Sequence, residues 1–266
     1  MRIGFPYFPI IKYPRDILAY LVIRALCSPR LMSIPGLHRL IRRSAPFLKV
    51  KPKPLDGLEI YLSTVDSSQM AIFNEIFIEK VYDLEALPFE PLHVIDCGAH
   101  VGMFSVLAFS NYTEARYTLF EPNTENLEVL KLTIEANKLP FDLIESAVSD
   151  FEGSKSFYAE SSYEGQLISA NTNVQSYSVR CVKLADYIKN NCDERLLLKI
   201  DIEGHEEIVL PDIIPSLPRN TAIFFETHSG DDSWNSLSNC LQENGFKVVQ
   251  TRWRDPYADG FAYRLE

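Results

Sequence analysis

The sequence lacks an apolar run near the roughly 20 residues that a membrane-crossing helix needs. Its best candidate, residues 17–26, is short and interrupted by Arg24. It also lacks Cys-x-x-Cys spacing, since Cys27, Cys97, Cys181, Cys192 and Cys240 are scattered, and five cysteines cannot all pair within one chain. Free thiols in a reducing, cytoplasmic setting are therefore expected. The short apolar stretch follows a Pro-rich lead-in and has no small-residue cleavage site, a poor match to a secretory signal. No Gly-x-Gly-x-x-Gly occurs, so a nicotinamide or flavin reading loses its main support.

Acids are scarce at one end and abundant at the other. The formal charge is −10 over 266 residues, but residues 1–53 hold eleven Lys or Arg and only Asp16 as an acid. That stretch carries +10 and the remainder −20. Eight of the sixteen prolines precede Leu55, marking residues 1–56 as a basic, Pro-rich appendage with short helices expected at 16–25 and 37–43. Docking of their apolar faces on the rest of the chain is the preferred reading. Contact with a membrane surface through residues 1–53, at the periphery of the cytoplasm, is the alternative. The −20 charge would repel phosphates and disfavours nucleic acid as a partner.

From residue 57 the pattern is that of one α/β domain. A short strand at 58–62 leads to a helical pattern over 67–84. Short apolar segments at 93–97, 116–121, 142–148, 196–202 and 221–226 read as buried strands. Helical patterns at 101–109, 124–137, 185–190, 205–217 and 233–244 alternate with them, which predicts a doubly wound, Rossmann-like parallel sheet. Strands at 247–252 and 260–265 suggest a final antiparallel pair. The Ser- and Tyr-rich stretch 151–183 reads as an inserted hairpin or flap, whose Tyr158, Tyr163, Tyr177 and Arg180 are candidates to line a carbohydrate pocket.

Three constellations carry chemistry. The strand 93–97 runs through Asp96-Cys97-Gly98-Ala99-His100-Val101-Gly102 into a helix, so Gly98 and Gly102 would let backbone approach a ligand at a helix N-terminus. Asp96 would repel a pyrophosphate and suits the amino group or sulfonium of S-adenosylmethionine. Glu121, in Phe120-Glu121-Pro122-Asn123, ends the next strand, where a carboxylate accepts both hydroxyls of a ribose. The third cluster, Leu198-Lys199-Ile200-Asp201-Ile202-Glu203-Gly204-His205-Glu206, meets Glu226 and His228 at the same carboxyl edge if their strands are neighbours. His228 is the first choice of general base for oxygen methylation, with Glu226 or Glu203 orienting it or the acceptor. His205 is expected to face solvent. Asp201, Glu203, Glu226 and His228 equally suit a divalent metal, the less favoured alternative.

These motifs resemble the FkbM family of methyltransferases, from about Asp66 to near the end of the chain. The resemblance implies that Asp96, Gly98, Ala99 and Gly102 bind the methionine part of S-adenosylmethionine, and that Glu121 binds its ribose with help from Asn126. It places Ala147 near the adenine and Asp201 near the amino group or the reactive centre. His100 departs from the family's usual asparagine, and Leu184-Ala185-Asp186 displaces an acid by one position. The implied activity is methylation of a hydroxyl on a sugar, glycan, glycolipid or secondary metabolite. A non-catalytic donor-binding scaffold and a protein methyltransferase are the competing readings, and the sequence leaves oligomeric state open.

Overall fold

The computed structural model describes residues 47–265, apart from 53–54, 56, 64–65, 67, 160–164, 169–175 and 193. The helices expected at 16–25 and 37–43, and Tyr163, lie outside the described residues. Strand β1 (Phe47–Val50) pairs antiparallel with β2 (Ile60–Ser63). Leu55 between them is fully buried in the same core as Ile60 and Leu62. The boundary expected at residue 56 thus runs through a packed hairpin.

Helix α1 (Ser68–Asn74) continues as a wider turn over Glu75–Glu79 and stops at Lys80, which is left-handed at φ 55° and bonds its N–H to Glu75 O. The helical pattern expected to reach residue 84 therefore ends early, and Tyr82 falls beyond it. Next come β3 (His93–Cys97), α2 (Met103–Asn111), β4 (Arg116–Phe120), α3 (Thr124–Asn137) and β5 (Phe141–Ile144). Every residue of β3 is buried, as a strand covered on both faces requires. The Asn123 side chain caps α3 by accepting from Glu125 N, and Leu127 and Leu130 bury its inner face.

The strand expected over 142–148 is two strands. After β5 the chain turns, with Ser146 N donating to Ile144 O, and β6 (Ala147–Ser149) joins a separate sheet with β7 (Gly153–Ala159), β8 (Gly165–Ile168) and β9 (Tyr177–Lys183). Its order is β6-β9-β7-β8, with β6 parallel to β9. The insertion is thus a small sheet packed on Ala147, Phe157, Val179 and Cys181 rather than a bare hairpin.

The chain returns through α4 (Leu184–Asn191), β10 (Leu196–Ile200), α5 (Glu206–Ile213), β11 (Thr221–Thr227), α6 (Gly230–Glu243), β12 (Lys247–Arg254) and β13 (Tyr257–Arg264). The main sheet runs β12-β13-β11-β10-β3-β4-β5, with β5, β4, β3, β10 and β11 parallel. Strand β13 is antiparallel to both neighbours, so the final pair is antiparallel as expected. Core clusters lie on both faces, one around Phe104, Tyr117 and Phe224 and the other around Ile95, Leu198 and Leu237. Strand order reverses between β3 and β10, so their carboxyl ends diverge into the crevice where doubly wound folds take ligands. No helix among the described residues is long and apolar enough to cross a membrane.

Candidate active site

A cleft of about 1100 Å³, its open mouth included, lies over that crevice. Gly98, Ala99 and His100 line it from the loop after β3, Glu121 from the end of β4, and Ala147 from β6. Asp201, Glu203, Glu226 and His228 line it from the ends of β10 and β11. Ile72, Ile76 and Tyr82 form a wall, and Phe157 of the small sheet closes on another side. Asp96 and Gly102 do not reach the cleft lining.

Both glycines let protein atoms pack closely, and Gly98 also lines the cleft. Gly98 has φ +77°, and a Cβ there would lie 2.0 Å from the backbone oxygen of Asp201. Gly102 has φ +83°, and a Cβ there would lie 2.5 Å from Leu130 on α3. Glu121 is 4 % exposed and accepts from His100 N at 2.7 Å, Asn123 N at 2.8 Å and Asn126 Nδ2 at 3.3 Å. Burial pushes its pKa up to about 7 against these donors. Asn126 is thereby tied to Glu121.

Asp96 is fully buried, and its charge is met inside the protein. Ser105 Oγ donates to its Oδ2 at 2.6 Å, and Lys199 Nζ lies 3.4 Å from its Oδ1. Lys199 also donates to Gly98 O at 2.8 Å and lies 3.5 Å from Asp201 Oδ2. Burial opposes its charge, yet Asp96 and Asp201 hold its pKa above the ordinary lysine value. Lys199 was not singled out from the sequence. Its signal was a lone cation in Leu-Leu-Leu-Lys-Ile, a strand whose five residues are all buried.

The acidic cluster assembles as the adjacency of β10 and β11 required. His228 Nε2 lies 3.4 Å from Glu203 Oε2 and 3.8 Å from Asp201 Oδ1, while its Nδ1 lies 3.5 Å from Glu206 Oε2. Burial opposes protonation of this ring, but Glu206, Asp201 and Glu203 outweigh it and push its pKa up to about 10. At neutral pH the imidazole on its own holds a proton, which conflicts with a free-base role. Glu226 does not orient His228 directly. It pairs with Arg254 at 3.3 Å, and burial together with Asp201 and Asp259 raises its pKa to about 9.

Several expectations need correction. His205 is 8 % exposed rather than solvent-facing, and its Nε2 lies 3.1 Å from Ser149 Oγ on β6. Glu206 is 1 % exposed and accepts from Ile202 N at 2.6 Å and Gly204 N at 2.8 Å, so it shapes the turn after β10. In the insertion Phe157 faces the cleft, and Tyr158, its neighbour, falls on the opposite face by the two-residue period of a strand. Tyr177 is 39 % exposed beside Phe157, and Arg180 pairs with Glu152 at 3.0 Å. Arg252 and Arg254 were also missed. They join Glu75 and Glu79 of the lead-in segment to Glu226 and Asp259 across the cleft mouth.

The profile described as Methyltransferase FkbM domain matches residues 96–248, more than half of the chain. The chain belongs to the FkbM methyltransferase family. The match takes in the Asp96 to Gly102 loop, Glu121, the Asp201 to Glu206 turn and His228. Methyltransferase 1 of Beauveria bassiana is 24 % identical over 76 % of this chain and 91 % of its own length. Methyltransferase sdnD of Sordaria araneosa is 33 % identical over 31 % of each chain. AMB antimetabolite synthetase AmbE of Pseudomonas aeruginosa is 26 % identical over 66 % of this chain but 10 % of its own length. The solved methyltransferase FkbM of Methylobacillus flagellatus aligns at 15 % identity with a TM-score of 0.49, over 68 % of this chain and 46 % of that one.

His100, which the sequence resemblance sets against an asparagine, is left-handed at φ +54°. Both residue types tolerate the left-handed region better than most, so the exchange keeps the loop's backbone. The His100 ring lines the cleft, its two nitrogens are shielded from solvent, and neither has a hydrogen-bond partner among the described residues. Burial lowers its pKa to about 4, so the ring is neutral and offers one donor and one acceptor.

Proposed function

We propose that the protein transfers the methyl group of S-adenosylmethionine to a hydroxyl oxygen of a small or carbohydrate-like acceptor. The observation that carries this reading is one cleft lined by a ribose-type carboxylate, Glu121, and by the Asp201–Glu203–His228 cluster. The residues present fit such a donor. Glu121 offers carboxylate oxygens to ribose hydroxyls, the unpartnered His100 nitrogens await polar groups, and Ala147 gives the adenine side an apolar surface. Asp96 and Gly102 act from behind: Asp96 anchors Lys199, which holds the Gly98 carbonyl and Asp201, and Gly102 seats the loop on α3.

S-adenosylmethionine supplies an electrophilic methyl on a positive sulfur and leaves as a neutral thioether. Asp201 and Glu203 complement that positive charge and accept the hydroxyl proton as the oxygen attacks. His228, already protonated, stabilises the carboxylates between which it sits. Glu226 bounds the acceptor side, and Arg254 fixes its position. Exclusion of water by Phe157, Ile72 and Ile76 strengthens these electrostatic terms.

Calorimetric titration with S-adenosylhomocysteine tests the donor half. One saturable site, weakened at least tenfold by Glu121→Gln, is expected, and no binding by the folded wild type would reject it. Transfer of labelled methyl from S-adenosylmethionine to a panel of sugars, hydroxylated metabolites and proteins tests the acceptor half. Label appearing only in protein would reject hydroxyl methylation of small acceptors.

A further inference from the structure

Asp201 and Glu203 sit two residues apart beyond the end of β10, and His228 follows the neighbouring parallel strand β11. They bring two carboxylate oxygens and a ring nitrogen within 4.8 Å of one another inside the cleft. From His228 Nε2, the separations are 3.4 Å to Glu203 and 3.8 Å to Asp201. A charge-assisted hydrogen bond closes to about 2.7–2.9 Å. Neither contact does. A six-coordinate divalent cation about 2.1–2.2 Å from its donors holds adjacent donors about 3.0 Å apart and opposite donors about 4.3 Å apart. The observed separations lie about 0.4 and 0.8 Å beyond an adjacent-donor edge, within reach of small side-chain rotations.

The imidazole is also aimed. Glu206, fixed by the Ile202 and Gly204 amides, places its charge 3.5 Å from Nδ1 without a hydrogen bond, while Nε2 faces Asp201 and Glu203. Tyr257 packs edge-on against the ring, with centroids 5.5 Å apart at 89°. A carboxylate on the far nitrogen is how metal-binding histidines are held. Lys199 approaches Asp201 through Oδ2, and Oδ1 is the atom that faces His228. Glu226, grouped with this set on sequence grounds, is drawn aside by Arg254.

We propose that Asp201, Glu203 and His228 bind a divalent cation of the manganese or magnesium class, with Glu206 as the positioning residue. Two carboxylate oxygens and one imidazole, with no thiolate, suit such ions. Three protein donors leave about three of six coordination positions for the acceptor and water. The binding stands alone; the role rests on the methyl-transfer reading. Binding displaces the His228 proton, and a hydroxyl ligated to the cation has a lowered pKa and gives its proton to water instead of to Asp201 and Glu203. That oxygen then forms the bond to the methyl carbon, while the carbon–sulfur bond breaks and its electron pair goes to sulfur.

Chelator-treated full-length protein is titrated calorimetrically with manganese chloride, and bound ion is counted by loss of the free Mn²⁺ paramagnetic resonance signal. One ion per chain is expected, displaced by excess magnesium. Glu203→Gln and His228→Gln each weaken it at least tenfold. Glu206→Gln weakens it by about tenfold while S-adenosylhomocysteine affinity is retained, a split that general loss of structure would not give. Circular dichroism checks that each variant folds, and Glu203→Gln, at a side chain 24 % exposed, is the mildest of them. No saturable binding, or binding unchanged in Glu203→Gln and His228→Gln, overturns the proposal. Manganese binding without S-adenosylhomocysteine binding leaves the cation site standing and removes the methyl-transfer reading; the reverse result removes the cation site alone.

Discussion

Lys199→Met removes a buried ammonium while keeping most of the side-chain volume. Its Nζ lies 3.4 Å from an oxygen of Asp96, whose side chain has no solvent exposure. At an effective dielectric constant of about 20, that attraction is worth about 5 kcal/mol. Breaking a buried pair from one side costs about 3–5 kcal/mol, because the abandoned charge stays in the interior. Ser105 is the hydrogen-bond donor that remains to Asp96, so a loss in that range is expected. The Gly98 carbonyl also loses its 2.8 Å partner, which loosens the loop facing the cleft. Asp96→Asn with Lys199→Met removes both charges, and the double variant should lose at least about 2 kcal/mol less than the sum of the single losses. Equilibrium urea unfolding at pH 7 measures this as a shift in midpoint with unchanged slope. A loss below about 1 kcal/mol for Lys199→Met, or additivity within about 0.5 kcal/mol, would refute the claim that this pair holds the crevice together.

Gly98→Ala places a methyl group 2.0 Å from the Asp201 backbone oxygen at a left-handed φ, and a loss above about 3 kcal/mol is expected; a wild-type melting temperature would contradict this packing. Glu121 has its pKa pushed by burial up to about 7, so S-adenosylhomocysteine affinity should rise as pH climbs from 6 to 8 and the carboxylate ionises. In Glu121→Gln that rise should vanish, and an identical pH profile would sink the assignment. His93, 5 % exposed and beside Arg116, has its pKa lowered by burial to about 4. It stays neutral in the fold while its unfolded counterpart takes up a proton below about pH 6.5, so stability falls as pH drops from 6.5 to 4. His93→Gln should flatten that slope in chemical denaturation, and an unchanged slope would show that His93 is not its source.

The elements read from sequence were those whose signal is local. A five-residue apolar strand entering a small-residue turn identified β3 and the loop after it, and the periods of 2 and 3.6 separated the alternating strands and helices. Acids spaced two apart at a strand end placed Asp201 and Glu203 on one edge, and strand adjacency brought His228 to them. Errors came where the decisive partner is distant in sequence. His205 is buried because β6 presents Ser149, 56 residues earlier, to its ring. The third strand divides after Ile144 because the small sheet captures Ala147 to Ser149 through β9.

Residue types and spacing by themselves determined the doubly wound sheet, its carboxyl edge and the acids and imidazole gathered there, because backbone periodicity and strand order are set by short-range pattern. Tertiary structure alone decided how those charges are shared out. Asp96 is neutralised by a lysine about a hundred residues away, the cleft mouth is clamped by Arg254 reaching back 179 residues to Glu75, and His228 faces Glu206 rather than Glu226. Electrostatic pairing depends on distance in space and on burial, and neither is written in the order of residues along the chain.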